Sequence, residues 1–254
     1  MIQNIKKFFF QSKRKILAKT LYRKNFKTPE FYDFYFSQPG EKYIVQVGGN
    51  DGIQSDPLRI YFKSKKDYNA VIFEPIKNYY NKLKQLYHNR EDILIKQQYV
   101  SNEQGEKKIY FIKPEVCDLL EIENQNNDWL HGLGSFDKNN VENAIDQNSF
   151  RGEKFKKNIE NLKKNIISES VNSFELKKLD FSKNSINLLV VDVQGFELEV
   201  LLSLSFNEKI DYIVYEDESP YSHKSKKIRK LLKENRYKLI GRLTWTDQVY
   251  KKIF

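Results

Sequence analysis

The chain has 254 residues, 39% of them hydrophobic and 14% aromatic, and carries a formal net charge of +10. That length suits one α/β domain with an appended arm, and the grouping of aromatic and β-branched residues into short runs excludes wholesale disorder. The single cysteine, Cys117, excludes an intrachain disulfide and a thiolate metal cluster, and no apolar stretch reaches the roughly 20 residues that crossing a bilayer requires.

In chain order, the first feature is charge. From Met1 to Pro29 there is no acidic residue, while Lys6, Lys7, Lys13, Arg14, Lys15, Lys19, Arg23, Lys24 and Lys27 all fall there. Residues 1–38 read as a basic arm, helical by the imperfect stripe Ile5, Phe9, Ile16 and Leu21. The body at 39–254 is close to neutral. Such an arm fits an anionic membrane surface, a partner, nucleic acid, or a face of its own domain. The start lacks the apolar centre and small-residue cleavage site of a signal peptide, so the expected location is the cytoplasm, including the inner face of the membrane.

After Ser37-Gln38-Pro39-Gly40 the rhythm becomes strand, turn, helix. Tyr43–Val47 is β-prone and runs into Gly48-Gly49-Asn50-Asp51-Gly52. Val71-Ile72-Phe73 is a second run, stopped at Glu74-Pro75, and Tyr79, Tyr80, Leu83 and Leu86 follow at helical spacing. Ile93–Val100 and Lys107–Ile112 read as strands around the turn Asn102-Glu103-Gln104-Gly105. The stretch Pro114–Asn172 breaks the rhythm and reads as a partly helical, lid-like insertion. Ile186–Val193 is the most continuous apolar run, the pattern of a strand buried on both faces. Helices at Glu197–Leu204 and Lys224–Asn235 and strands at Tyr212–Tyr215, Tyr237–Gly241 and Gln248–Phe254 complete a doubly wound α/β sheet.

Ligands of such sheets bind beyond the carboxyl ends of the strands, where strand order reverses. Gly48 and Gly52 permit a tight turn there, and Asn50 stands where a dinucleotide fingerprint needs a second glycine. That favours a smaller nucleoside ligand over a pyrophosphate. Glu74, at the end of the second strand, is spaced to grip a ribose diol. Asp192, ending the apolar run, points to the same crevice, and Glu197 opens the next helix as a cap or a substrate contact.

These elements resemble the FkbM family of methyltransferases. The glycine turn Val47–Gly52, the segment Phe73-Glu74-Pro75 and the run Asp192–Glu197 match its motifs, with Gln194 replacing the usual acid of D-x-E-G-x-E. Tyr99–Gly105 resembles the segment passing the adenine, and Leu176–Asp180 the approach to the fourth strand. The resemblance implies a Rossmann-like class I methyltransferase fold, with a seven-stranded, mostly parallel sheet, an antiparallel last strand and helices on both faces. It implies S-adenosyl-L-methionine as cofactor, bound by Gln46, Gly48, Asn50, Gly52, Glu74, Pro75, Val100, Ser101 and Asp192. It also implies O-methylation of a sugar or glycan hydroxyl. Asp192 is the first candidate for general base and His131, in Trp129-Leu130-His131-Gly132, the second, with Glu197 beside them. Ser135, Phe136 and Glu216 are expected at the acceptor. Asp192 with Glu216, Asp217 and Glu218 could hold a hard cation, although no metal is the favoured expectation. Competing readings are an RNA or DNA methyltransferase using the basic arm, which no recognised nucleic-acid module accompanies, and a non-catalytic binding protein on the same scaffold, since Gln46 stands where an acid commonly holds the methionine amino group.

Overall fold

The structure, a computed structural model, describes residues 28–54, 56–65, 67–123, 128–149, 153–181, 183–207, 209–217, 219–244 and 246–253. The basic stripe before residue 28 and Glu218 lie outside them. Helix α1 (Thr28–Ser37) leads into β1 (Lys42–Val47), followed by α2 (Arg59–Ser64), β2 (Tyr68–Phe73), α3 (Lys77–Leu86) and β3 (Ile93–Lys96). Next come β4 (Tyr99–Val100), β5 (Glu106–Ile112), α4 (Pro114–Glu123), β6 (Gly134–Ser135), α5 (Lys138–Gln147), α6 (Glu153–Lys164) and β7 (Ile166–Phe174). The chain closes with β8 (Ile186–Val191), α7 (Glu197–Leu202), β9 (Tyr212–Glu216), α8 (His223–Glu234), β10 (Tyr237–Arg242) and β11 (Asp247–Lys252).

Seven strands form the main sheet in the order β10-β11-β9-β8-β1-β2-β3. All its pairings are parallel except those of β11, which runs antiparallel to both β9 and β10. Strand order reverses between β1 and β8, where Val47 faces Val191 in register. Alternate side chains of the central strands enter two cores. Ile44, Ile72, Leu188 and Val214 bury on one face, and Val45, Phe73, Leu189 and Ile213 on the other. Covering both faces with helices explains why these strands are apolar throughout instead of alternating.

Helix α1 belongs to this core. Pro29 and Glu30 suit its first turn, and Phe31, Tyr32 and Tyr35 are wholly buried against the sheet. The Tyr35 hydroxyl donates to the Ile186 carbonyl at 2.7 Å, tying α1 to the edge of β8. Residues 28–37 are therefore integral to the domain, although by charge they read as the end of an arm.

Two further differences from the sequence reading concern a second sheet of four strands, ordered β4-β7-β5-β6. The run 93–100 is two strands rather than one. The polar pair Gln97-Gln98 interrupts it, and β4 leaves the main sheet to pair with β7. Strand β7 itself falls within and beyond the stretch read as an insertion. It pairs antiparallel with β5 from Glu106↔Asn172 to Ile112↔Ile166. Its sequence, Ile166–Phe174, carries three serines, one glutamate and one asparagine, so its place is set by the backbone ladder and not by an apolar pattern. The helices α4, α5 and α6 bury Cys117, Val141, Ile145, Phe155 and Leu162 against Ile112 and Leu130, a small core of their own. No helix among the described residues is long and apolar enough to cross a membrane.

Replacing Phe31 with alanine should lower unfolding stability by about 3–5 kcal/mol, the usual range for emptying a buried aromatic site. Urea denaturation checks this; a change under about 1 kcal/mol would show that α1 is not part of the cooperative unit.

Candidate active site

The turn after β1 is stitched to both neighbouring strands. The amides of Gly48 and Gly49 donate to the Phe73 carbonyl at 3.0 and 3.1 Å, and the Asp192 amide donates to the Val47 carbonyl at 3.0 Å. Gly48 has φ +88°, and a Cβ there would lie 1.8 Å from the Asp192 carbonyl oxygen. Glycine is required because the ends of β1 and β8 close on each other. Gly52 (φ +69°) serves packing too: a Cβ there would meet Leu83 and Leu86 of α3 at 2.7 and 2.9 Å. It does not line the cleft that opens beyond the strand ends, a cavity of about 900 Å³.

Glu74 sits at the base of this turn, only 5% exposed. Its two carboxylate oxygens accept the amides of Asn50 and Ile76, each at 2.8 Å. The side chain expected to grip a ribose diol is buried and braces the turn. Each oxygen keeps a second acceptor position towards the cleft. Burial pushes the Glu74 carboxyl up to about 7, against the lowering effect of the two amides.

On the other side of the turn, Gln46 is 4% exposed, and its Nε2 donates to Asp56 Oδ1 at 3.3 Å. Asp56 also caps the following turn by accepting the Leu58 amide at 2.9 Å. Burial raises the Asp56 carboxyl to about 6.

The end of β8 supplies the acidic centre. Asp192 opens onto the cleft, where it is accessible yet ringed by protein. That shielding pushes its carboxyl above the usual range, and hydrogen bonds to Gln194 and Glu216 offset part of the effect. Gln194, at φ +51°, donates its Nε2 to Asp192 Oδ1 and Glu216 Oε2 at 3.2 Å each, bridging β8 to β9. Asp247 of β11 lines the same cleft and is raised to about 6 by burial. Asp217 is turned away: it binds Ser225 at 2.6 Å, Gln248 at 2.7 Å and Arg229 at 3.2 Å, fastening α8 to β11. Among the described residues no group of three or more His, Cys, Asp or Glu side chains is placed to hold a metal ion.

The opposite wall comes from the second sheet and the helices between its strands. His131 is 2% exposed; its Nδ1 lies 3.0 Å from the Tyr79 hydroxyl and its Nε2 3.4 Å from Asp118. Tyr99, Phe136 and Phe196 form an aromatic surface, with Phe136 centred 4.8 Å from each of the other two.

The cleft thus gathers Gln46, Gly48, Asn50, Glu74, Pro75, Val100, His131, Ser135, Phe136, Asp192 and Glu216. Three sequence candidates do not line it. Ser101 is wholly buried and accepts the Glu103 amide at 3.1 Å within its own turn. Gly52 packs on α3. Glu197 is buried and accepts the Gly195 amide at 2.8 Å within the turn that enters α7. Missed by sequence reasoning were Tyr32, Asp56 and Asp247, all lining the cleft, while Tyr99 and Phe196 line it from within motifs the sequence singled out without assigning them a role. Only Asp56 left a local signal, the Asp-Pro pair before a helix.

The Methyltransferase FkbM domain matches residues 46–239 of this sequence. The chain belongs to the FkbM methyltransferase family. A solved structure, Methyltransferase FkbM from Methylobacillus flagellatus KT, aligns with a TM-score of 0.48 at 10% identity, covering 89% of this chain and 48% of that one. The chain thus spans about half the length of that protein. No curated protein matches it.

The residues of this FkbM domain fit a nucleoside with an amino-acid tail. Glu74 offers spare acceptor positions for a diol, and Asn50 stands where close backbone approach of a pyrophosphate calls for glycine. The Oδ1 of Asn50 and the Oε1 of Gln46 are buried without a hydrogen-bond partner among the described residues, so a ligand donor has somewhere to bind.

Glu74 and Glu197 reach about 7, and Asp56 and Asp247 about 6, all above ordinary carboxylates. The folded protein therefore holds these protons more tightly than the unfolded chain, and their contribution to stability is lost as pH rises through this window. The ligand-free protein should show a falling urea midpoint between about pH 5 and about pH 7.5, and Glu74→Gln should flatten that slope. A midpoint that rises over this interval would contradict the assignment.

Proposed function

We propose that this FkbM-family chain is an S-adenosylmethionine-dependent methyltransferase that methylates a hydroxyl group of a sugar or glycan. One observation carries the reading: the glycine turn, Glu74 and the Asp192–Glu216 pair come from separate segments and open on one cleft. The strand order and the antiparallel β11 accord with a Rossmann-like class I methyltransferase.

When bound, S-adenosylmethionine supplies a methyl group activated by its positively charged sulfur. The residues that would hold it are Gly48 and Asn50 in the turn, Glu74 and Pro75 towards the ribose, and Val100 towards the adenine. Displacement at carbon asks the protein mainly to align the acceptor and remove its proton. Asp192 suits that second task. It is reachable from the cleft, and its raised carboxyl makes it a stronger base than an ordinary aspartate. Gln194 and Glu216 orient it. His131 is buried with its Nδ1 held by the Tyr79 hydroxyl and its Nε2 3.4 Å from Asp118, so it positions the wall and leaves the proton to the more accessible Asp192.

The lining also speaks to the acceptor. Among the described residues, Asp56, Glu74, Asp137, Asp192, Glu199, Glu216 and Asp247 line the cleft with a single lysine, Lys224. An acidic crevice repels a polyanion and so disfavours RNA or DNA as acceptor. Carboxylates accept hydrogen bonds from hydroxyls, and Tyr99, Phe136 and Phe196 offer flat apolar surface to a sugar ring.

Calorimetry should show S-adenosylmethionine binding that Glu74→Ala weakens by roughly tenfold or more. Absence of any binding to the intact protein would sink the enzyme reading. In a methyl-transfer screen over neutral glycans, Asp192→Asn should lower kcat by about 10²–10⁴ while cofactor affinity changes far less. Transfer to RNA with none to any glycan would overturn the substrate class.

A further inference from the structure

The floor of the cleft beside β1 holds more buried acceptors than donors. Gln46, from β1, and Tyr32, from α1, point to the same face of the sheet, and Asp56 reaches back from the turn to join them. Gln46 gives its Nε2 to Asp56 Oδ1 at 3.3 Å. That contact dictates the amide's orientation, because the reverse would set two oxygens against each other. It leaves Gln46 Oε1 buried without a partner among the described residues. Asp56 Oδ2 and the Tyr32 hydroxyl are in the same condition. Tyr32 is wholly buried and Gln46 is 4% exposed, and all three residues line the cleft.

Orphaned buried acceptors are costly and ask for a ligand that brings donors. A hydroxyl brings one donor. A primary ammonium brings three and a positive charge; this corner offers three oxygens, one of them a carboxylate's, and the carboxylates of Asp247 and Asp192 act on the same Tyr32 hydroxyl. Among the described residues no three His, Cys, Asp or Glu side chains are grouped to hold a metal ion.

We propose that Asp56, with Gln46 Oε1 and the Tyr32 hydroxyl, forms the socket for the α-ammonium group of the cofactor's amino-acid tail. This rests on the cofactor reading above and assigns the residue that carries it. Gln46 stands where an acid commonly makes that contact, and the negative charge is supplied ten positions later by a side chain that Gln46 itself orients. Gln46 is thus a positioning residue as well as a neutral acceptor, and Asp56 is the charged anchor.

The test uses the intact chain and ligands that cannot react. S-adenosylhomocysteine carries the ammonium, its deamino analogue lacks that group alone, and 5′-methylthioadenosine lacks the whole tail. Calorimetry should show S-adenosylhomocysteine bound roughly 10–100-fold more tightly than the deamino analogue, the range of a hydrogen-bonded charge contact. Asp56→Asn keeps an oxygen for the Leu58 amide and removes a carboxylate that is costly to ionise, so its thermal unfolding should be no lower than that of the parent. It should lose most of the preference for S-adenosylhomocysteine while binding 5′-methylthioadenosine as before. Equal affinity of the parent protein for the first two ligands, or undiminished preference in Asp56→Asn, overturns the socket and leaves the cofactor reading standing. Failure of the parent protein to bind any of the three removes both.

Discussion

The contact on which the site depends is the closure of β1 against β8. With φ +88° at Gly48 and the Asp192 carbonyl where its Cβ would be, the two strand ends approach as only glycine allows. The same turn is held from the other side by the Phe73 carbonyl and from below by Glu74. Three strands are thereby locked at their carboxyl ends, and the cleft exists because strand order reverses between two of them. The glycines do not mainly make room for a ligand. They make the strands meet, and the ligand space follows from the meeting.

A second theme is the management of negative charge. Several carboxyls around the cleft are raised by burial, and among the described residues one lysine lines it with them. Such a surface is poorly stable by itself and well matched to a cationic ligand. Gln194 fits this logic. An acid in its place would put a third carboxylate beside Asp192 and Glu216, whereas the amide donates to both. Gln46 does the same for Asp56. At both positions a glutamine turns a would-be repulsion between oxygens into a hydrogen bond, and a neighbouring carboxylate retains the charge.

The two sheets divide the labour. The main sheet supplies the turn, Glu74 and the acidic pair from strand ends buried on both faces. The second sheet and the segments joining its strands supply His131, Phe136 and Tyr99, another wall of the cleft. That wall has its own small core around Phe155 and Leu162, so its shape can differ while the main sheet stays fixed.

Several of these features were legible in the residues alone. The apolar runs marked the central strands, and an acid or glycine at the end of such a run marked the crevice, because strand ends of a parallel sheet are where polar groups become reachable. Glu74 and Asp192 were singled out this way, and Gln46 only through the family resemblance. Local hydrogen bonding hid the fate of others: Glu197 and Ser101 are spent on capping their own turns, and spacing alone does not distinguish a cap from a contact. Strand β7 was illegible because its polar sequence is held by a non-local ladder. Tyr32, Asp56, Tyr99 and Asp247 reach the cleft from four distant segments, and only packing decides that. The sequence by itself determined which strands are buried and what chemistry waits at their ends, since burial and turn geometry are local demands on residue type. The tertiary structure alone decided which of those groups face one another, because that depends on strand order and on the closing of β1 against β8.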